Sequence, residues 1–562
     1  MARRTSNATS SPDASSDFRE ADVPRITLPT GRWQPDIADE YRRLGFHTDG
    51  VIAAELDRAL RSRPDAVAVI DDRSAITYRE LHARSARVAS GLRAAGIVAG
   101  DVVAWQAPNR IETVVLTWAC WTVGAIVAPI VSLYREKELS EILAMVEPAA
   151  VATVAMHRGH AFAETFDDVL TELGSAPVKI LLDGARSGWT TFADLCAAPP
   201  SLTDSRVAAD DPALVIFTSG TTSGSKGVVH SSRTLLAETA QFARAIDWGV
   251  ASASHVPTPL AHISGLLRGI TAPVHTTSTA VLREHWDSER VVADMADLGI
   301  THPVAPANLL GELLDAWEAA GRPPHRTRLL TTMGTLSMRQ RAESYGFVVG
   351  SSYGMSELPT ISLPDPSDPP ERRHAYSGRL CAGVEARVHP DSGELEVRGP
   401  EQMLGYLDQL QDDAVWTEDL WIRTGDLAQI EDGYVRVVGR IKDVISRGGE
   451  KISAVEVEDC LIAHPAITGV AVVAGPHQRL GEVPVAFLTI GSAERPSDAA
   501  LVEFLDAAGL ARHKVPDRWI VVDELPLTAS GKVRKRDLAL LAATPHITTS
   551  VRHTTAQSEG EA

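Results

Sequence analysis

Cysteine is scarce in this chain: Cys120, Cys196, Cys381 and Cys460 are the four in 562 residues, and none stands at C-x-x-C or metal-ligand spacing. A reducing compartment is the simple reading, and none of the four is a leading catalytic candidate. Positive charge is short as well, 54 Lys and Arg against 73 Asp and Glu, a formal net charge of -19. A nucleic acid or an anionic membrane gains nothing from so acidic a surface, which leaves small ligands as the expected partners. The opening "MARRTSNATSSPDASSDF" has two arginines but no apolar core, so it does not read as a secretory signal. A disordered arm is expected over residues 1–35 and a cytoplasmic location for the protein. No short-period repeat is present. One segment, "TVVLTWACWTVGAIVAPIVSLY" (113–134), is free of charge over a span-sized length. Gly124 and Pro129 divide it into a helix-like half and a β-branched half, so a buried helix followed by a buried strand is expected, and no membrane span.

What is present fits a soluble globular protein of two or more domains: 44% apolar and 23% charged residues over a length too great for one core. From about Tyr78, helix-like stretches such as "YRELHARSARVASGLRAAG" alternate with short apolar runs such as "DVVAW", "AVATVAM", "VKILLD" and "LVIFTSG". That alternation predicts an α/β unit with crossover helices. After about residue 375 the texture becomes short strands and Gly-containing turns, a β-rich subdomain in which "GVEARVHPDSGELEVRGP" and "DLAQIEDGYVRVVGR" read as hairpins. Beyond Lys442 a compact α+β pattern of about a hundred residues starts afresh. The expected division is a large N-terminal domain of packed mixed sheets with helices over 36–441, a small α+β C-terminal domain over 442–541, and a loose tail over 542–562.

The most informative stretch is "FTSGTTSGSKGVVHSS" (217–232), which follows the apolar run "PALVIF". Backbone N–H groups of a Gly/Ser/Thr-rich turn converge on an anion, hydroxyls add donors and a lysine neutralises charge. The common nucleotide loop G-x-x-x-x-G-K-[ST] almost fits: from Gly220 the lysine is Lys226, but Ser225 replaces the second Gly and Gly227 the magnesium-binding hydroxyl. A surface Ser/Gly linker is the plain alternative, though a linker seldom follows a buried strand so closely.

The departure from that loop has a counterpart. The stretch resembles the phosphate loop of adenylate-forming enzymes, the superfamily of acyl-CoA synthetases, stand-alone adenylation domains and beetle luciferases. Four more stretches agree in order and spacing: "SSYGMSE" (351–357), "RTGDL" (423–427), "GRIKDVISRGGEKISAVEVE" (439–458) and "LPLTASGKVRK" (525–535). The resemblance runs from about residue 50 to 540. It implies attack of an organic acid's carboxylate on the α-phosphate of ATP, giving acyl-AMP and pyrophosphate, then transfer to CoA as a thioester.

By that resemblance Thr218, Ser219, Gly220, Thr221, Thr222 and Lys226 would hold the β- and γ-phosphates. In 351–357, Ser352, Tyr353, Gly354, Met355 and Ser356 would line the nucleotide, with Tyr353 stacked on adenine. Glu357 would ligate magnesium, with Thr221 as a second ligand. Asp426 would accept the ribose hydroxyls beside Arg440, although T-G-D alone is a hairpin turn. Lys532 would reach the carboxylate and the α-phosphate, where charge grows in the transition state; a solvated basic strand is its alternative, since Arg534, Lys535 and Arg536 surround it. The small domain would swing about Lys442, and Gly448 and Gly449 would leave passage for the pantetheine thiol.

The acid's pocket departs most from the family. "PLAHISG" (259–265) stands where P-L-F-H-x-x-G is common, so His262 would sit near the carboxylate and Ala261 would widen the entrance. A lone histidine beside apolar residues is as readily structural. In "TTMGTLSM" (331–338) Gly334 is retained and Thr335 places a hydroxyl where the acid's head often packs. The expected partners are a small-molecule acid, ATP with magnesium, and CoA or a carrier protein, in a monomer or homodimer. Carrier-protein loading, amide formation, and nitrite activation for diazotisation of an aromatic amine stay open as alternatives, and an idle nucleotide-binding regulator is disfavoured by the joint presence of Lys226, Glu357, Asp426 and Lys532.

Overall fold

The computed structural model describes residues 28, 29, 31–199, 207–220, 224–307, 309–332, 334–491, 494–527 and 533–543. Their strands form four sheets. The first has eight strands. Its middle, built from Ile126–Pro129, Val102–Gln106, Ala150–Thr153 and Val178–Leu181, is parallel, with crossover helices. All five positions of "VVAWQ" are buried, which is why these strands read as unbroken apolar runs. The second sheet has seven strands, mostly parallel, and shares one apolar core with the first.

The charge-free segment resolves as the sequence implies. Helix Ile111–Val123 is buried nearly all round, Gly124 closes it at φ 90°, and strand Ile126–Pro129 follows. Trp118 and Trp121 meet edge to face inside that core, at 5.1 Å. No helix among the described residues is long and apolar enough to cross a membrane.

The third sheet, seven strands between Tyr353 and Arg440, is antiparallel throughout. Both hairpins read from the sequence are in it, Glu385–Val388 with Glu394–Arg398 and Ile422–Glu431 with Tyr434–Arg440. The fourth, of five strands, is made entirely of residues 444–521. A one-turn 3₁₀ segment, Ile441–Asp443, connects it to the third and holds Lys442 at the surface.

Two expectations need correction. The inner end of the stretch expected to be a disordered arm is packed: Arg32 lies 2.8 Å from both Asp412 and Asp413, and Trp33 packs edge-on against Tyr41 at 5.8 Å. Leu28 also packs against the apolar core, and helix Pro35–Arg43 follows. The polar loop likewise begins later than its composition suggests. Strand Pro212–Gly220 continues through the polar residues and pairs with Gly224–Ser231 in the register Thr218↔Lys226, Ser219↔Ser225 and Gly220↔Gly224. Cross-strand pairing satisfies the backbone there, so polar side chains do not prevent strand formation. Thr221 and Thr222 lie outside the described residues.

Candidate functional site

At one end of the site the hairpin of the third sheet sets Asp426 directly across from Arg440. Gly425, at φ 71°, turns the chain just before it, a conformation glycine adopts at little cost. The Asp426 carboxylate is 5% exposed; it accepts the Tyr353 hydroxyl at 2.7 Å and faces Arg440 Nε at 2.9 Å. That second contact is an ion pair without hydrogen-bond alignment, which leaves Oδ1 with acceptor capacity. Burial and the neighbouring Asp426 charge push the Tyr353 phenol well above its ordinary range, so it stays a donor.

At the other end stands Glu357, four residues along the same segment. Its Oε1 accepts the hydroxyl of Tyr406, and the ring of Tyr406 lies 4.9 Å from the Lys226 ammonium. Thr218 and Lys226 are direct cross-strand partners, so their side chains share a face of the hairpin. The segment 353–357 therefore ties a Tyr–Asp–Arg group to a Lys–Tyr–Glu group. A second clamp fixes its middle: buried His230 donates from Nε2 to the Ser356 carbonyl at 2.7 Å. A carbonyl only accepts, so Nε2 carries the proton and Nδ1 faces the Thr234 hydroxyl at 3.2 Å. Burial lowers this histidine to about 4, so it is neutral at working pH.

Other expected residues have structural occupations. A Cβ on Gly354 would lie 2.0 Å from the Pro359 carbonyl oxygen, so the close approach it permits is that of its own hairpin. Gly448 and Gly449 are the central pair of a hairpin turn at φ 60° and 97°, which by itself favours glycine. Thr335 caps helix Leu336–Ser344, accepting from Met338 N at 3.4 Å, and a Cβ on Gly334 would meet Leu310 at 2.6 Å. Ala261 is 2% exposed and belongs to the apolar core, so the wider entrance expected from its small size is not an open space at that side chain. His262 is half-buried at the start of helix Ile263–Leu266. Lys532 lies outside the described residues, as does the side chain of Ser219.

Behind the site is a buried polar group that sequence reading missed. Glu238 accepts from Thr360 Oγ1 at 2.5 Å, Glu401 accepts from Gln241 Nε2 at 2.9 Å, and Arg268 stands over the Phe242 ring at 4.7 Å. Burial raises Glu238 to about 7; burial, then the Glu238 charge, raises Glu401 well above the carboxylate range. Burial brings Arg268 down to about 10, so it remains charged. A carboxyl raised in the folded state holds its proton where the unfolded chain has released it. The stability it contributes is thus complete below the ordinary carboxylate value near 4.5 and is lost as pH rises through about 7. We expect Glu238→Gln, which cannot ionise, to be more stable than the parent at pH 8 by on the order of 2 kcal/mol and no more stable at pH 5. Melting temperatures across that range test this; a difference independent of pH would contradict it.

One grouping among the described residues has metal-ligand types, His157, Glu284 and His285. Arg110 engages both oxygens of Glu284, and Arg158 Nε donates to His285 Nδ1 at 3.1 Å. Two guanidinium groups on the ligands oppose a dication. Arg110 also reaches Asp183 at 2.8 Å, so the cluster reads as a charged seam between the first two sheets.

Comparison with known proteins bears on the same residues. The family described as AMP-binding enzyme matches residues 56–407, and the AMP-binding enzyme C-terminal domain matches 456–532. The chain is 29% identical to the medium-chain fatty-acid–CoA ligase of Escherichia coli K12, over 92% of this chain and 94% of that one. It is 32% identical to triostin synthetase I of Streptomyces triostinicus, over 91% and 98%. The crystal structure of ATP-bound MatB from Rhodopseudomonas palustris superposes with a TM-score of 0.79 at 25% identity, covering 88% of this chain and 99% of that one.

Proposed function

Since the chain belongs to the AMP-binding enzyme family, we propose that it adenylates an organic acid with ATP and then passes the acyl group to the thiol of CoA. The observation that carries this reading is the segment 353–357, anchored at Tyr353 on Asp426 and at Glu357 on Tyr406 beside Lys226. It sets a nucleoside-binding end and a phosphate-binding end within five residues. Asp426 accepts the ribose hydroxyls, the Tyr353 ring flanks the base, and Arg440 reaches toward the α-phosphate. Ser352, Met355 and Ser356 line the passage between the two ends. Thr218 and Lys226 hold the β- and γ-phosphates from one face of the hairpin.

Glu357 is suited to the magnesium ion that accompanies ATP: Oε1 is held by Tyr406, leaving its other oxygen to join the phosphate oxygens, the usual arrangement of one protein carboxylate with substrate phosphates. When bound, that ion supplies neutralisation of phosphate charge. A carboxylate is a weak nucleophile that phosphates repel, so positioning and charge are what the chain must provide.

In this reading residues 36–441 and 442–541 act as two units that close together about Lys442. One closed arrangement brings Lys532 to the reacting carboxylate, and another turns the Gly448–Gly449 hairpin toward the site so that the thiol can enter. His262 stands at the acid's approach. CoA as acceptor is supported by the CoA ligase among the relatives. A carrier protein is the second acceptor class, because a fatty acid–acyl-carrier-protein ligase of Streptomyces coeruleorubidus is 28% identical over 84% of this chain.

The test is pyrophosphate release across a panel of medium-chain, cyclic and aromatic acids, with and without CoA. Acid-dependent release with thioester formation is the expected result. Release that requires nitrite and an aromatic amine, or acyl transfer only to a carrier protein or an amine, would replace the acceptor or acid named here.

A further inference from the structure

We infer that Tyr406 is a positioning residue that holds Glu357 and Lys226 on one ring and keeps them from pairing with each other before nucleotide arrives. This rests on the reading of Glu357 as the carboxylate that receives magnesium.

The short strand Gly405–Tyr406 pairs with the loop hairpin in the register Tyr406↔Val228. Lys226 lies two residues from Val228 and so projects from the same face, a diagonal neighbour within reach of a long side chain. The result is the 4.9 Å contact of the Lys226 ammonium with the Tyr406 ring. At its other end the same side chain gives its hydroxyl to Glu357 Oε1. Tyr406 is 4% exposed and Glu357 7%, so both sit where a charge interaction is little screened. The Glu357 backbone is fixed as well, its carbonyl accepting from Met403 N at 2.8 Å, three residues before Tyr406.

Without the ring between them, a lysine and a carboxylate that contact the same side chain would be free to form a direct ion pair. Such a pair would neutralise the cation meant for phosphate and the anion meant for magnesium. The aromatic face offers the ammonium a weaker seat that leaves its charge whole, so an arriving phosphate can take it. The phenol meanwhile occupies one carboxylate oxygen and aims the other. Tyr406 touches neither substrate nor reacting atoms in this account; it acts through its two neighbours.

Equilibrium titrations of AMP, metal-free ATP and MgATP provide the test without any turnover. Tyr406→Phe keeps the ring and loses the hydroxyl. It is expected to weaken MgATP roughly tenfold, the scale of a lost hydrogen bond to a charged group. AMP and metal-free ATP should move less than about twofold. Tyr406→Leu removes the seat as well, so metal-free ATP should also weaken, and adding Glu357→Gln to it should restore that binding by freeing Lys226. If Tyr406→Phe keeps the parent's preference for MgATP over ATP while Glu357→Gln loses it, the positioning role is overturned and the magnesium reading stands. If Glu357→Gln keeps the preference, the reading of Glu357 fails and the inference with it. Equal weakening of all three ligands by Tyr406→Phe would mark a general packing role and overturn the inference too.

Discussion

Replacing Lys532 with alanine is expected to slow adenylation by about 10²–10³-fold while leaving thioester formation from supplied acyl-adenylate within a few-fold of the parent. Leu527 and Val533 form an isolated antiparallel bridge, and Arg534 N donates to the Pro526 carbonyl at 2.7 Å. The chain on either side of 528–532 is thereby pinned together. Of the basic neighbours that suggested a solvated tail, Lys535 is ion-paired with Glu458 at 2.8 Å and Arg534 lies 3.3 Å from Asp537. Those two have partners within the small unit. A cation that stabilises charge only as the carboxylate attacks lowers the first barrier and contributes nothing once the adenylate exists. Rapid-quench measurement of pyrophosphate, set against thioester formation from synthetic adenylate, separates the steps. Equal loss in both would contradict two closed arrangements of the units.

The elements were legible in the sequence wherever burial on both faces or a regular period wrote them. The parallel strands read as apolar runs, helix Ile111–Val123 ends at its glycine, and both hairpins of the third sheet carry their turn residues in view. Motif order was enough to name Tyr353, Glu357, Asp426 and Arg440, and the structure brings the first, third and fourth into contact.

What stayed hidden depends on pairing between distant residues. Tyr406 matters because its strand meets Val228, a register no local pattern announces. Nothing in the local pattern marks Glu238, on a helix, or Glu401, in a loop, as buried, yet both are. Thr335 has a local structural occupation. A hydroxyl placed in the acid's pocket by analogy is also the N-cap of the next helix, and local capping accounts for it without a ligand.

Asp426→Ala should be the most damaging change at the nucleoside end. It leaves the Tyr353 hydroxyl without its acceptor and the Arg440 guanidinium without its counter-ion, both around a carboxylate that is 5% exposed. Removing one member of a buried, hydrogen-bonded charge group costs about 2–5 kcal/mol, which corresponds to roughly a 30-fold to several-thousand-fold loss of affinity. Asp426→Asn keeps an acceptor for Tyr353 and loses the charge, so roughly a tenfold loss is expected from the charged hydrogen bonds alone. Because AMP, ATP and MgATP share the nucleoside, Asp426→Ala should weaken all three alike, where Tyr406→Phe weakens MgATP selectively. The two patterns divide the site into a part that reads ribose and a part that reads charge along the phosphates. Unchanged AMP affinity in Asp426→Ala, with the fold intact by melting temperature, would reduce Asp426 to a brace between its two strands. The nucleoside would then have to be held by residues other than the Tyr–Asp–Arg group.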